Sequence, residues 1–105
     1  MEFYRNLYVS ESLEKKKDKI IKKLKAGKSP MNCCVIMLTE NPENQLEFFN
    51  SILLWQKYGK ENPFIIGIAG CYEEALEVIQ KITEETYSHR KDADIRSYIL
   101  EQQGS

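Results

Sequence analysis

The sequence predicts an α+β fold: a small antiparallel sheet of about three strands with helices packed on it. Three observations carry that prediction. A β-branched run, Phe64-Ile65-Ile66-Gly67-Ile68, follows Pro63 and leads through Gly70 into a long amphipathic stretch. A second apolar run covers Cys33 to Thr39. Between them, residues 46–58 carry apolar side chains that do not fall on one helical face.

The central stretch, 63–86, reads most clearly. Apolar runs of four to eight residues suit strands buried on both faces. Pro63 fits the first residue of such a strand, where its missing N–H costs least. Gly67 and Gly70 read as a tight corner. Beyond it, Tyr72, Ala75, Leu76, Ile79 and Ile82 recur at helical spacing, widened by Val78. Glu73 and Glu74 lie in the first turn, near the positive end of the helix dipole. Cys71 takes the N-cap position, and a thiol accepts hydrogen bonds weakly, so a poor cap is expected there. The helix is predicted to end near Tyr87.

At the start of the chain, Phe3, Tyr4, Leu7 and Tyr8 fit a helix, while Leu7-Tyr8-Val9 also fits a short edge strand; both readings stay open. Leu13, Ile20, Ile21 and Leu24 form a narrow apolar stripe after Ser10 and Ser12. They predict a helix over 11–26, closed by Gly27. Lys17 interrupts the stripe, its stem suited to cover core.

Residues 42–58 admit two readings. Asn41-Pro42-Glu43 has the form of a helix start, which would give one helix to Gly59 and a β-α-β-α chain with parallel strands. That helix would be apolar all round and wholly buried, which a small domain accommodates poorly. The favoured reading splits the segment into a turn at 40–44, a strand at 45–50 and a short helix at 52–58. Near the C-terminus, Asp92 or Asp94 caps a last helix carrying Ile95, Tyr98 and Ile99.

Size and composition set the class. With 105 residues, 42% hydrophobic and 30% charged, the chain is expected to be a single domain, 1–105, and not a disordered one. No apolar run is long enough to span a membrane, and the first residues lack a signal-peptide layout, so a cytoplasmic location is expected, with no membrane partner. Cys33 and Cys34 are adjacent and point to opposite faces of a strand. With no CxxC and His89 as the single histidine, the expectation is free thiols, no metal site and no cofactor.

Charge is unevenly spread. Residues 1–30 hold nine Lys/Arg against four Asp/Glu, a balance of +5; residues 31–105 hold six against twelve, a balance of −6. Lys15, Lys16, Lys19, Lys22 and Lys23 belong to a run of eight lysines in fourteen residues. Such a run is either a solvated helix face or a polyanion grip, nucleic acid included. It lacks arginine and interleaved aromatics, so the solvated face is favoured.

The stretch IIGIAGCYEEALEVIQKITEETY, with NQLEFFNSILLWQKY before it, resembles a group of small uncharacterised bacterial α+β proteins. The likeness spans roughly residues 33–88. It implies the hairpin reading of the fold and no function. The order helix, strand, strand, strand, helix is also similar to that of the double-stranded-RNA-binding domain. That family places lysines at the start of its last helix to grip phosphates. Glu73 and Glu74 stand at the matching positions here, so only topology carries over.

No catalytic set is predicted. The glycine corner could bind phosphate at a helix N-terminus, but Glu73 and Glu74 would repel it and no Walker-type Lys follows. Cys71 and His89 are the two residues a small enzyme would use: Cys71 at a helix N-terminus favours the thiolate but its neighbouring glutamates oppose it, and Asp92 and Asp94 are near His89 in sequence only. Phe48, Phe49, Trp55 and Tyr58 read as core rim or as a contact surface, since a sheet face left bare by the helices would need cover. The expected function is a non-enzymatic interaction or regulatory domain with a protein partner or a second copy of itself. Polyanion binding is the first alternative and a small enzyme the second.

Overall fold

The computed structural model describes residues 2–26, 33–39, 45–53 and 64–104. The predicted α+β class holds, with one strand more than expected. Four strands, β1 (Glu2–Val9), β2 (Cys34–Leu38), β3 (Leu46–Asn50) and β4 (Phe64–Ala69), form one sheet in the order β1-β4-β2-β3. Strands β2 and β3 are antiparallel, as are β2 and β4, while β1 runs parallel to β4. The sheet is therefore mixed, not purely antiparallel.

The additional strand is β1, and its spacing explains why it was ambiguous. A separation of four residues places side chains together on a helix and also on one face of a strand. In the structure Tyr4 and Tyr8 face one side, while Phe3, Leu7 and Val9 face the other.

The predicted antiparallel pairing of the strands at 34–38 and 46–50 is correct, and the predicted turn at 40–44 lies outside the described residues. Cys34 pairs with Asn50, Ile36 with Phe48 and Leu38 with Leu46. The Thr39 N–H donates to the Gln45 carbonyl at 2.8 Å, closing the hairpin. Residues 51–53 are helical, and the remainder of the predicted 52–58 helix lies outside the described residues.

Strand β4 is buried on both faces, with Ile65, Ile66 and Ile68 fully enclosed. Its glycines play different parts from those predicted. Gly67 sits inside the strand, where Ile36 pairs with Gly67 and Met37 with Ile65, so Ile66 is the extra residue of a bulge. Only Gly70 makes the corner.

A 3-10 segment, Glu11–Lys16, continues into α1 (Lys17–Lys25). The predicted helix thus begins with a tighter turn, in which the Leu13 N–H bonds Ser10 three residues back. After the corner come α2 (Tyr72–Arg90) and α3 (Ile95–Gln103). Helix α2 ends one turn later than predicted, at Lys91, whose φ of 63° is left-handed. Asp94 caps α3 as predicted, accepting from the Ser97 N–H at 3.1 Å.

The helices divide between the two sheet faces. Leu13 of the 3-10 segment and Ile20 and Leu24 of α1 pack against Leu7, Val35, Met37, Ile65 and Ile68. On the other face, Ala75, Val78 and Ile82 of α2 and Ile95 and Ile99 of α3 pack on Tyr4, Ile36, Ile66 and Ala69. Helix α3 is tied to both edges of the sheet. The Arg5 N–H of β1 donates to Gln103 at 2.8 Å, and Gln45 bonds the Arg96 N–H and the Ala93 carbonyl. Arg96 in turn holds the Thr39 carbonyl through its guanidinium. No helix among the described residues is long and apolar enough to cross a membrane.

Candidate functional site

The corner between β4 and α2 is closed by the chain's own side chains. Ser12 donates to Glu74 Oε1 at 2.6 Å, and the Gly70 N–H meets both Ser10 Oγ at 3.1 Å and Glu74 Oε1 at 3.2 Å. Glu74 is the third residue of α2, the position from which a glutamate reaches back over the helix start. Here it reaches the residue before the N-cap, and Cys71 makes no side-chain cap, as its chemistry predicted. These hydroxyl and N–H donors hold the Glu74 carboxyl below the usual carboxylate range. A carboxylate thus fills the place an external anion would take, and the corner is structural.

The lysine run is spread over the 3-10 segment and several sides of α1. Lys15, Lys16, Lys19 and Lys22 are exposed and Lys23 is half-buried. Lys19, Lys22 and Lys23 stand at i, i+3 and i+4 of the helix, so they share one face. Lys15 and Lys16 belong to the 3-10 segment before it.

The aromatic group is divided. Phe48 faces the α2 side and meets the Tyr72 ring at 5.3 Å, while Phe49 packs on the α1 side. Trp55 and Tyr58 lie outside the described residues. The bare sheet face that sequence reasoning wanted covered is covered by α1. Six large apolar side chains are exposed among the described residues: Tyr87 and Leu100 on α2 and α3, and Ile52 at 53%, Leu53 at 46%, Tyr72 at 59% and Leu76 at 44%. Asn50, Cys34 and Ala69 pair across the sheet at one end. Ile52 follows β3 there, and Tyr72, which begins α2 after β4, meets the Phe48 ring of β3.

Cys71 and His89 do not meet. Both are exposed and stand about five turns apart on α2. The His89 Nδ1 donates to the Glu85 carbonyl at 2.9 Å, and its ring lies 5.2 Å from that of Tyr98. Burial pushes the Cys33 and Cys34 thiols up, against thiolate chemistry. Among the described residues, no group of three or more His, Cys, Asp or Glu side chains converges as a metal site would require.

A cleft that sequence reasoning missed lies between β1, the start of the first helical segment, α2 and α3. Its volume is about 480 Å³ and it is open to solvent. Tyr4 and Tyr8 come from β1, Glu85 from α2 and Tyr98 from α3. The Tyr8 hydroxyl donates to Glu85 Oε2 at 2.5 Å. The Tyr4 and Tyr8 rings lie 6.0 Å apart and nearly parallel. Burial raises all three phenols, and the hydrogen bond to Glu85 raises Tyr8 further. At neutral pH they stay protonated. The cleft therefore offers hydroxyl groups, a carboxylate and ring faces for binding, and no phenolate nucleophile. The only sequence signal for it was the Tyr4/Tyr8 spacing, which names no partner on α2 or α3.

No protein-family model, no curated protein and no solved structure matches this chain.

Proposed function

We propose that this protein is a non-enzymatic interaction domain that associates with a second copy of itself through the apolar end of the sheet. The observation that carries this reading is the exposure of Ile52, Leu53, Tyr72 and Leu76 at one end of the molecule, beside Phe48. Large apolar side chains grouped at a surface are matched by association, and one patch contacting its own copy gives a closed two-fold dimer. The net charge of −1 puts little repulsion between copies. Three free cysteines suit a reducing cytoplasm. Light scattering at high protein concentration is expected to give the dimer mass, and Leu76→Glu to return the monomer with unchanged circular dichroism. A monomer mass for the unaltered chain would sink the proposal.

The second reading is polyanion binding by α1, favoured by the shared face of Lys19, Lys22 and Lys23. It predicts affinity for DNA or RNA that falls steeply with salt and is lost on reversing charge at those positions. No association at low salt would end it.

A further inference from the structure

The tyrosine-lined cleft is unrelated to the apolar end of the sheet, and its chemistry is that of a small-ligand site. Its charged side chains balance: Glu14 and Glu85 against Lys17 and Lys81. None of the four is in an ion pair among the described residues. Tyr8 occupies only Oε2 of Glu85, which leaves Oε1 as an open acceptor there.

Tyr98 supplies a second, independent observation. It is 7% exposed, lines the cleft, and feels the charge of Glu85 and the phenol of Tyr4. Its hydroxyl has no hydrogen-bond partner among the described residues. Its ring is packed in the core while its hydroxyl faces the cleft, so a ligand atom there can take a hydrogen bond from it without displacing a protein group.

Lys81 stands one helical turn before Glu85 on the same face of α2, a separation of about 5–6 Å between Cβ atoms. One small molecule spanning a turn reaches both. We propose that the cleft binds a small zwitterion of amino-acid type, its ammonium on Glu85 and the phenol oxygen of Tyr98, its carboxylate at Lys81. The near-parallel rings of Tyr4 and Tyr8 give its carbon chain a flat wall. A plain amine would leave Lys17 and Lys81 facing a third positive charge. A phosphate would face Glu14 and Glu85. The cleft volume of about 480 Å³ is in the range of small-molecule pockets, about 300–1,000 Å³.

The test is isothermal titration calorimetry of the dialysed full chain with each of the common free amino acids, and with propylamine and propionate as single-charge probes. At least one amino acid is expected to bind saturably, with both single-charge probes about tenfold weaker or more. Glu85→Gln and Lys81→Met should each weaken binding about tenfold, the worth of a charge-assisted hydrogen bond. Tyr98→Phe separates a ligand role from a structural one: it should weaken binding without lowering the melting temperature of the ligand-free protein. Three results overturn the proposal. One is no binding heat from any amino acid up to about 10 mM. The second is propylamine binding as tightly as the best zwitterion. The third is Tyr98→Phe lowering the melting temperature and leaving affinity unchanged. Should Glu85→Gln fail to fold, the Tyr98→Phe pair of measurements carries the test. Leu76→Glu, outside the cleft, should bind as the unaltered chain does, so failure of dimerisation and failure of ligand binding are read apart.

Discussion

Gly67 leaves little room for a side chain. A Cβ there would stand 3.2 Å from Ile36 Cδ1 and 3.3 Å from the Tyr8 carbonyl oxygen, on strands both sides of it. Ile36 can give way by a rotamer change, but the β1 backbone cannot without disturbing the pairing of Tyr8 with Gly67. Gly67→Ala is therefore expected to destabilise the protein by about 1–3 kcal/mol, the usual cost of overpacking, measured as a lowered urea midpoint at constant slope. Gly70 is constrained by polar atoms instead: a Cβ would lie 2.5 Å from Ser12 Oγ and 2.9 Å from Glu74 Oε1. Both residues were legible as glycines with a purpose. Which of them turns the chain was not, because a bulge inside β4 and a corner after it ask for the same residue type.

Helix ends decide the next scale. Helix α2 stops because Lys91 adopts a left-handed conformation and returns its N–H to the Tyr87 carbonyl at 2.8 Å. For a residue with a side chain that conformation costs about 1 kcal/mol or more, and glycine is free of the cost. Lys91→Gly is expected to raise stability by about 0.5–1 kcal/mol, read as a higher melting temperature with unchanged helicity. Helix α3 starts on Asp94, whose carboxylate takes both the N–H and the hydroxyl of Ser97. Asp94→Ala should lower the melting temperature, and Asp94→Asn should recover most of the loss, since an amide oxygen also caps. The ends of these elements were partly legible. Asp94 announced its helix; Lys91 gave no sign, because lysine has no preference for the left-handed region and the packing of α3 against α2 places it there.

Across the whole molecule, two sets of ionisable groups limit the pH range of stability from opposite sides. Glu74 and Asp94 are held below the ordinary carboxylate range by hydrogen bonds from Ser12, Ser10 and Ser97. Their contribution is complete above the unfolded carboxylate values of about 4 and is lost as pH falls through the lower folded values. Tyr4, Tyr8 and Tyr98 are raised, first by burial. Their contribution is complete below the unfolded phenol value of about 10 and is lost as pH rises towards the higher folded values. Urea midpoints are therefore expected to hold through the neutral range, fall below about pH 4 and fall again above about pH 10. Glu74→Gln should flatten the acid arm and Tyr8→Phe the alkaline one; an alkaline arm unchanged in Tyr8→Phe would contradict the burial argument.

The sequence by itself determined the α+β class, the buried β4 strand and the helices that follow it, and it favoured the β2–β3 hairpin over a parallel pairing. Each is a local pattern: apolar runs, periods of two or 3.6, and capping side chains near their targets in the chain. Tertiary structure alone decided three things. It turned residues 2–9 into a parallel edge strand, since spacing by four fits two kinds of element and only pairing with β4 separates them. It set α1 on the sheet face opposite α2 and α3, because an apolar stripe says that a helix is covered and not by which face. It assembled Tyr4, Tyr8, Glu85 and Tyr98, from three different elements of the chain, into one cleft. No local period encodes a contact between residues 77 positions apart, such as Tyr8 and Glu85.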